Sequence, residues 1–354
     1  MGDRREDATP TRPPTMEDVA TRAGVSRALV SIVFRDLPGA SPANRERVRR
    51  AAEEIGFRPD RRASLLGRKR TNLLGIAFGV GHEFHAELLS ALYASAARSR
   101  LEVVLSGITA ERTEQQAVAE LLAFRCDAVL LLGPNLSSVE LAEIGAGSPV
   151  VALARAVDAP GVDVVRTDDE LGARLATEHL LGLGHRTIVH LDGRHSAGGA
   201  ERSRGFLCAM RAAGLADHAF LSPGGLTEAD GERAAQHYLA ERTADAPEHP
   251  EPTAVLAFND PCAIGFLQTV REAALQVPGD LSLVGYDDSR LARASWARLT
   301  TVGQDTAALA DGAVAKALAR IRHPERGPAD HPREALLVPP SLVVRATTGT
   351  PGPG

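Results

Sequence analysis

Two rhythms of apolar and polar positions divide the chain. From Thr71 onward, short and continuously apolar runs alternate with longer stretches in which apolar residues recur every three or four positions. "LLGIAFGV", "LEVVLSG", "CDAVLLLG", "SPVVALA", "VDVVRTDDE", "TIVHLDG", "HAFLSPG", "TAVLAFND" and "LSLVGYDD" read as strands. "FHAELLSALYASAARSR", "TEQQAVAELLAFR", "SSVELAEIGAG", "LGARLATEHLLGLG", "SRGFLCAMRAAG", "GERAAQHYLAER", "CAIGFLQTVREAA" and "QDTAALADGAVAKALARI" read as amphipathic helices. Ahead of Thr71 the strand rhythm is missing. There "MEDVATRAG", "RALVSIVFR" and "PANRERVRRAAEEIG" predict three short helices, opened by Thr15, Ser26 and Ser41 as caps and broken by Gly24, "DLPGA" and Gly56.

Apolar strands that alternate with amphipathic helices predict parallel sheets covered on both faces. There are too many such units for one sheet, so two Rossmann-like lobes are expected, dividing near residue 165. Residues 1–14 are polar and Pro-containing and are expected to be disordered; "FRPDRRASLLGRKR" is a basic connector with room for one or two helical turns; "RHPERGPADHPRE" reads as a loop, "ALLVPPSLVVRA" as one or two last strands, and "TTGTPGPG" as a free tail.

Composition narrows the class. The 354 residues are 44% hydrophobic and 24% charged, which is globular. Three scattered cysteines fit a reducing compartment, and no apolar run reaches the roughly 20 residues of a spanning helix. A soluble cytoplasmic protein is expected. The net charge of −5 conceals an asymmetry, since residues 1–70 hold 16 Lys+Arg against 10 Asp+Glu and the remainder 24 against 35. A basic head on an acidic body suggests that only the head meets a polyanion, although excess arginine can also be a solvated face.

The first two helices lie within about 20 residues, so they must pack closely. Ala20 is small where they approach, Gly24 permits a left-handed turn, Val25 plugs the angle, and Val19, Val30 and Val33 face a third helix. This is the helix-turn-helix arrangement, whose second helix enters the major groove. Arg27, Ala28 and Ile32 then face base edges, and Ser26 and Ser31 are placed for phosphates. A plain helical hairpin has the same spacing.

"DVATRAGVSRALVSIVF" resembles the signature of the lactose/galactose-repressor family of bacterial transcription factors, and the resemblance runs along nearly the whole chain. "GFRPDRRASLLG", "DDELGARLATEHLLGLGHRTI", "RSRGFLCAM", "FNDPCAIGFLQTVREAALQVPGDLSLVGYDDS", "LTTVGQD" and "LVVR" follow in family order. The resemblance implies a three-helix DNA-binding domain over 15–58 and a hinge helix and linker over 59–70. It implies a two-lobed α/β core over 71–345, like a periplasmic sugar-binding protein: a first lobe of 71–165 plus 302–328 and a second of 166–301 plus 329–345. Residues 346–354 remain a flexible tail. The implied partners are operator DNA of approximate two-fold symmetry, a small-molecule effector and a second copy of the chain; no membrane or cofactor is implied.

Carried over position by position, Arg27, Ala28 and Ile32 fall at the family's base-reading positions. Arg27 suits guanine O6 and N7, unless it is only a solvated helix-start residue. Arg35 stands where many relatives have Asn, which changes the backbone contact there. Leu66 aligns with the leucine wedged into the minor groove, flanked by Arg61, Arg62 and Arg68 for phosphates, while Ser64 replaces a frequent arginine; by composition alone "SLL" equally suits a small core contact. In the core, the resemblance places Arg202 of "RSRGF", Asn259 and Asp260 of "FND" and Asp287 of "GYDD" at the effector cleft. Such a set suits vicinal hydroxyls or a small polar metabolite. Phe84 and His85 of "GHEFHAEL" face the same cleft from the first lobe, Phe84 against an apolar sugar face; an exposed helix-start histidine is the other reading of His85.

One departure matters. Relatives often end the strand "PVV…" with Asp, and here the position is Ala154, followed by Arg155. An effector less like a simple sugar, or one with an acidic group, fits this change, and Leu226 in place of a tryptophan argues against the lactose-type ligand. Enzyme readings lack their motifs: "GVGHEF" is no dinucleotide fingerprint, neither a phosphate loop nor H-E-x-x-H occurs, and Cys262 has no histidine placed beside it. Most relatives are repressors released by an inducer, some need a corepressor and a few activate. In each case effector and operator affinity are linked.

Overall fold

The computed structural model describes residues 12–58, 70–242, 250–323 and 335–352. The chain forms two compact units, 1–71 and 72–354.

In the first unit, α1 (Met16–Ala23), α2 (Arg27–Phe34) and α3 (Pro42–Glu54) each begin at a hydroxyl cap. Thr15 and Asp18 close a reciprocal capping box, Ser26 Oγ accepts from Leu29 N–H, and Ser41 Oγ accepts from Asn44 N–H. Gly24 ends α1 in the left-handed region at φ 60°, where a side chain is strained. Val19, Ala20, Ala23, Val30, Val33, Val48, Ala51 and Ala52 form the buried centre, with Phe34 tilted against Phe57. Arg45 staples the α2–α3 loop, donating to Asp36, Leu37 C=O and Ala40 C=O.

The second unit alternates strand and helix. Its first sheet has the order β11-β5-β4-β3-β1-β2, all parallel. These are β1 (Leu73–Gly79), β2 (Glu102–Ile108), β3 (Ala128–Leu132), β4 (Val150–Leu153), β5 (Val162–Thr167) and β11 (Leu336–Val338). Alternate residues serve opposite faces, as a two-residue period demands. Leu74, Ile76 and Leu130 pack with α4 (Glu83–Arg98) and α12 (Thr306–Arg322), whereas Ala77, Val129 and Leu131 pack with α5 (Glu114–Ala123) and α6 (Ser138–Gly147).

The second sheet has the order β12-β10-β9-β8-β6-β7 and is parallel except for β12. It comprises β6 (Ile188–Asp192), β7 (Ala219–Pro223), β8 (Ala254–Ala257), β9 (Ser282–Asp287), β10 (Thr300–Gly303) and β12 (Ser341–Val343). α7 (Asp169–Gly182) and α8 (Gly199–Ala212) cover one face; α9 (Glu228–Arg242) and α10 (Asp260–Glu272) cover the other. The short α11 (Arg290–Arg293) follows β9. Two glycines set how closely these helices approach. A Cβ on Gly205 would stand 2.2 Å from Glu170 O, and one on Gly265 would stand 1.9 Å from Glu228 O, so backbone meets backbone.

Among the described residues the chain passes between lobes three times, after β5, after β10 and between β11 and β12. β11 therefore joins the first lobe's sheet through pairs such as Leu337↔Arg166, although 329–345 was expected in the second lobe, and β10 lies wholly in the second. A parallel partner at the edge of β5 decides this, and three residues of apolar run cannot reveal it. The expected free tail also differs. Thr347 is fully buried; its hydroxyl donates to Leu283 O (2.7 Å) and accepts from Thr300 N–H (2.9 Å), while Gly349 N–H donates to Ser282 Oγ (3.0 Å). Polar, glycine-containing composition suggested freedom, but these groups replace ladder bonds at β9. Among the described residues no helix is long and apolar enough to cross a membrane.

Candidate functional site

In the first unit, positions 27, 28, 31, 32 and 35 share one side of α2 and its C-cap, opposite the buried Val30 and Val33. Arg27, Ala28 and Arg35 are exposed; Ser31 and Ile32 are half-buried. Ser26 is already engaged as the α2 cap through its oxygen lone pair, which leaves its hydroxyl proton free to donate outward. Arg61, Arg62, Ser64, Leu66 and Arg68, and with them the expected hinge helix, lie outside the described residues.

In the second unit the C-terminal ends of both sheets face a cleft of about 970 Å³, the usual binding edge of an open α/β sheet. Phe84, His85, Arg202, Asn259 and Asp287 all line it. Arg202 is buried at its floor. Nε donates to Asp169 Oδ1 (2.9 Å), Nη1 donates to Phe258 O (2.6 Å), and Asp287 Oδ1 lies 3.8 Å from Nη2. The guanidinium also lies over the Tyr286 ring at 3.5 Å. Burial opposes the charge, but the Asp169 carboxylate leads the groups that outweigh it, and the pKa is raised.

Asn259 caps α10, Oδ1 accepting from Cys262 N–H (2.9 Å), and its Nδ2 donates to Leu226 O (3.0 Å). Each end of the amide keeps one further hydrogen-bonding position for a ligand. Asp287 has φ 111°, a sparsely populated conformation of the kind found where surrounding structure over-determines the backbone. Its Oδ1 accepts from Gln304 Nε2 (2.7 Å), and burial pushes its carboxyl up to about 7.

Asp260 is not at the cleft surface. It is fully buried, accepting from Ser289 N–H (2.7 Å) and Thr301 Oγ1 (2.6 Å), and burial followed by repulsion from Asp287 pushes it up to about 8. It belongs to the knot joining α10, α11 and β10. His85 is buried rather than exposed. Its Nδ1 accepts from Gly79 N–H (3.2 Å), which leaves the proton on Nε2, and its ring stacks on His82 at 4.6 Å. Burial, then His82, lowers its pKa to about 3, so it enters the cleft as a neutral donor.

Sequence reading missed three contributors. Gln304, just past β10, bonds Asp287 and also receives the Thr167 hydroxyl from the first crossing, so it ties the cleft floor to two crossings. It lies inside the quoted motif "LTTVGQD", yet nothing local distinguishes its side chain. Asp169, in "TDDE", anchors Arg202 from a helix start 33 residues away. Glu87 of α4 accepts from Arg290 N–H (2.8 Å) across the two lobes, a contact visible only in three dimensions.

Residues 15–60 match the lacI family of bacterial regulatory proteins, and residues 177–348 match a periplasmic binding protein-like domain. The transcriptional regulator GalR of Salmonella typhimurium is 31% identical over 343 residues, covering 95% of this chain and 96% of its own. Among solved structures, a LacI transcriptional regulator from a Rhodococcus species is 42% identical, with TM-score 0.72, over 78% of this chain and 98% of that one. The lac repressor dimer bound to operator and the anti-inducer ONPF is 28% identical, with TM-score 0.80, over 96% and 100%.

Proposed function

The chain belongs to the lacI family of bacterial regulatory proteins and is a sequence-specific DNA-binding repressor under effector control; within that frame we propose a homodimer on a nearly two-fold operator, with a sugar derivative as effector. α2 is the reading helix in this proposal. Arg27 takes the base-specific role because it is exposed at the helix start and offers a planar fork of donors. Ala28 and Ile32 supply apolar contact, Ser26, Ser31 and Arg35 meet phosphates, and Leu66, with Arg61 and Arg62, is assigned the minor-groove wedge on sequence grounds. Dimerisation follows from one reading helix per chain, since a C₂ pair presents two helices to equivalent half-sites.

The observation that supports effector control most strongly is the bonding of Gln304. A ligand that engages Asp287 competes directly with the amide that also holds Thr167 at the first crossing. Lobe angle and ligand occupancy are then linked, and operator affinity changes with both. Arg202, Asn259 and Asp287 would bond ligand hydroxyls while Phe84 covers an apolar sugar face.

The test is fluorescence anisotropy of a labelled operator with full-length protein across a panel of neutral and acidic sugars. At least one compound should change operator affinity about five-fold or more. A cleft that binds a sugar with no change in operator affinity would refute the linkage.

A further inference from the structure

Four arginines line the cleft among the described residues, and only two have their charge answered. Arg202 faces Asp169 and Asp287, and Arg233 pairs with Asp230. Among the described residues Arg155 and Arg194 are in no ion pair. They come from facing walls, Arg155 just past β4 and Arg194 just past β6. The walls meet at this point, since Arg155 Nη2 donates to the carbonyl of His195, next to Arg194. That bond uses one of the five N–H groups of the Arg155 guanidinium.

Two carboxylates act on Arg155 from beyond ion-pair distance, and both are engaged elsewhere. Glu114 is buried and accepts from the N–H groups of Asn135 and Leu136; Glu201 pairs with Arg204 at 3.6 Å. Burial lowers the Arg155 pKa, so the cation lacks full compensation where it stands. Ala154 contributes only a methyl group beside it.

The carboxylates of the cleft mouth lie elsewhere. Glu83 begins α4, after β1, and burial and then repulsion from Glu87 and Glu228 raise its pKa. β1 and β4 are separated by β3, so the two strand ends stand about 10 Å apart. The cleft therefore has cations just past β4 and β6 and carboxylates at the starts of α4 and α9, where Glu83 and Glu228 line it and Asp230 is already paired with Arg233.

We propose that the effector is anionic, a sugar acid or sugar phosphate whose carboxylate or phosphate sits between Arg155 and Arg194 with its hydroxyls toward Asp287 and Glu83. This rests on the cleft being the effector site. Binding a neutral sugar would strip water from two guanidinium groups without giving them an anionic acceptor, whereas an oxyanion supplies charge-assisted bonds to both. Arg155 thereby acts as a specificity determinant.

The experiment melts full-length protein with inorganic phosphate, D-gluconate, D-glucose 6-phosphate, D-glucose or sodium chloride at matched ionic strength. The expected result is a saturable rise in Tm with at least one of the three oxyanions and none with D-glucose or chloride. Gluconate against the phosphates distinguishes carboxylate from phosphate recognition. In Arg155→Gln, at a half-buried position, and in Arg194→Gln, at an exposed one, affinity for the active compound falls about ten-fold. No saturable rise with any oxyanion, a rise with D-glucose alone, or an undiminished response in both variants overturns the proposal. Operator anisotropy on the same samples separates this claim from the regulatory one: a neutral sugar that alters operator affinity while the oxyanions do not defeats only the anionic assignment.

Discussion

The proposed reading face of α2 and the floor of the cleft are built on opposite principles. On α2 the assigned residues are exposed or half-buried, and among the described residues the Arg27 side chain is in no hydrogen bond or ion pair. In the cleft, Arg202, Asn259 and Asp287 are buried and already bonded, to the Asp169 side chain, Leu226 C=O and the Gln304 side chain respectively. A DNA-facing surface can be changed without disturbing the fold beneath it. A cleft whose groups hold each other must exchange partners when a ligand enters, and that exchange is the proposed route by which occupancy moves the lobes.

The largest expected effect tests the cleft side of this contrast. Arg202→Met removes the cation between Asp169 and Asp287 and leaves two buried carboxylates facing each other. Denaturant unfolding of the body should show a loss of about 3–5 kcal/mol. A loss near zero would mean that the network is not holding the floor together. Arg27→Ala tests the other side: discrimination at one base position per half-site should fall by about 1–3 kcal/mol, read by competition between operator variants, with unfolding changed by no more than about 0.5 kcal/mol.

The contrast also has a pH signature. Asp260 and Asp287 are pushed up to about 8 and about 7, above their ordinary 3.8. A raised carboxyl binds more protons folded than unfolded, so its favourable contribution is complete below about pH 4 and is lost as pH rises through 7 to 8. Asp287→Asn should flatten the fall in body stability across that window, measured by urea unfolding at several pH values. An unchanged pH profile in Asp287→Asn would place the titration elsewhere. The smallest change is expected at the tail. Thr347→Val removes a buried hydroxyl that bonds Leu283 O and Thr300 N–H, lowering stability by about 1–2 kcal/mol in chemical denaturation.

What could be read in the sequence follows the range of the forces involved. The caps at Thr15, Ser26 and Ser41 and the apolar spacing of Val19, Val30 and Val33 act within a few residues, and the three helices formed where that spacing put them. The alternation of strand and helix likewise exposed two sheets. Motif resemblance brought Arg202, Asn259 and Asp287 to one cleft, but it did not reveal that Asp260 lies beneath the surface. Partners distant in sequence were not legible: Asp169 for Arg202, Thr167 for Gln304, Glu87 for Arg290 and β5 for β11. The docked Thr347–Gly349 segment was missed for the same reason, because its stability lies in hydrogen bonds to β9 and β10 rather than in apolar residues of its own.

The most direct test is a footprint of full-length protein on the DNA flanking its own gene, with wild type and Arg27→Ala compared at matched protein concentration. Wild type should give two equivalent protected half-sites, and the variant a similar general affinity with the sequence-specific pattern weakened at one position in each half. A single asymmetric half-site for wild type, or an identical pattern for both proteins, would contradict the proposal.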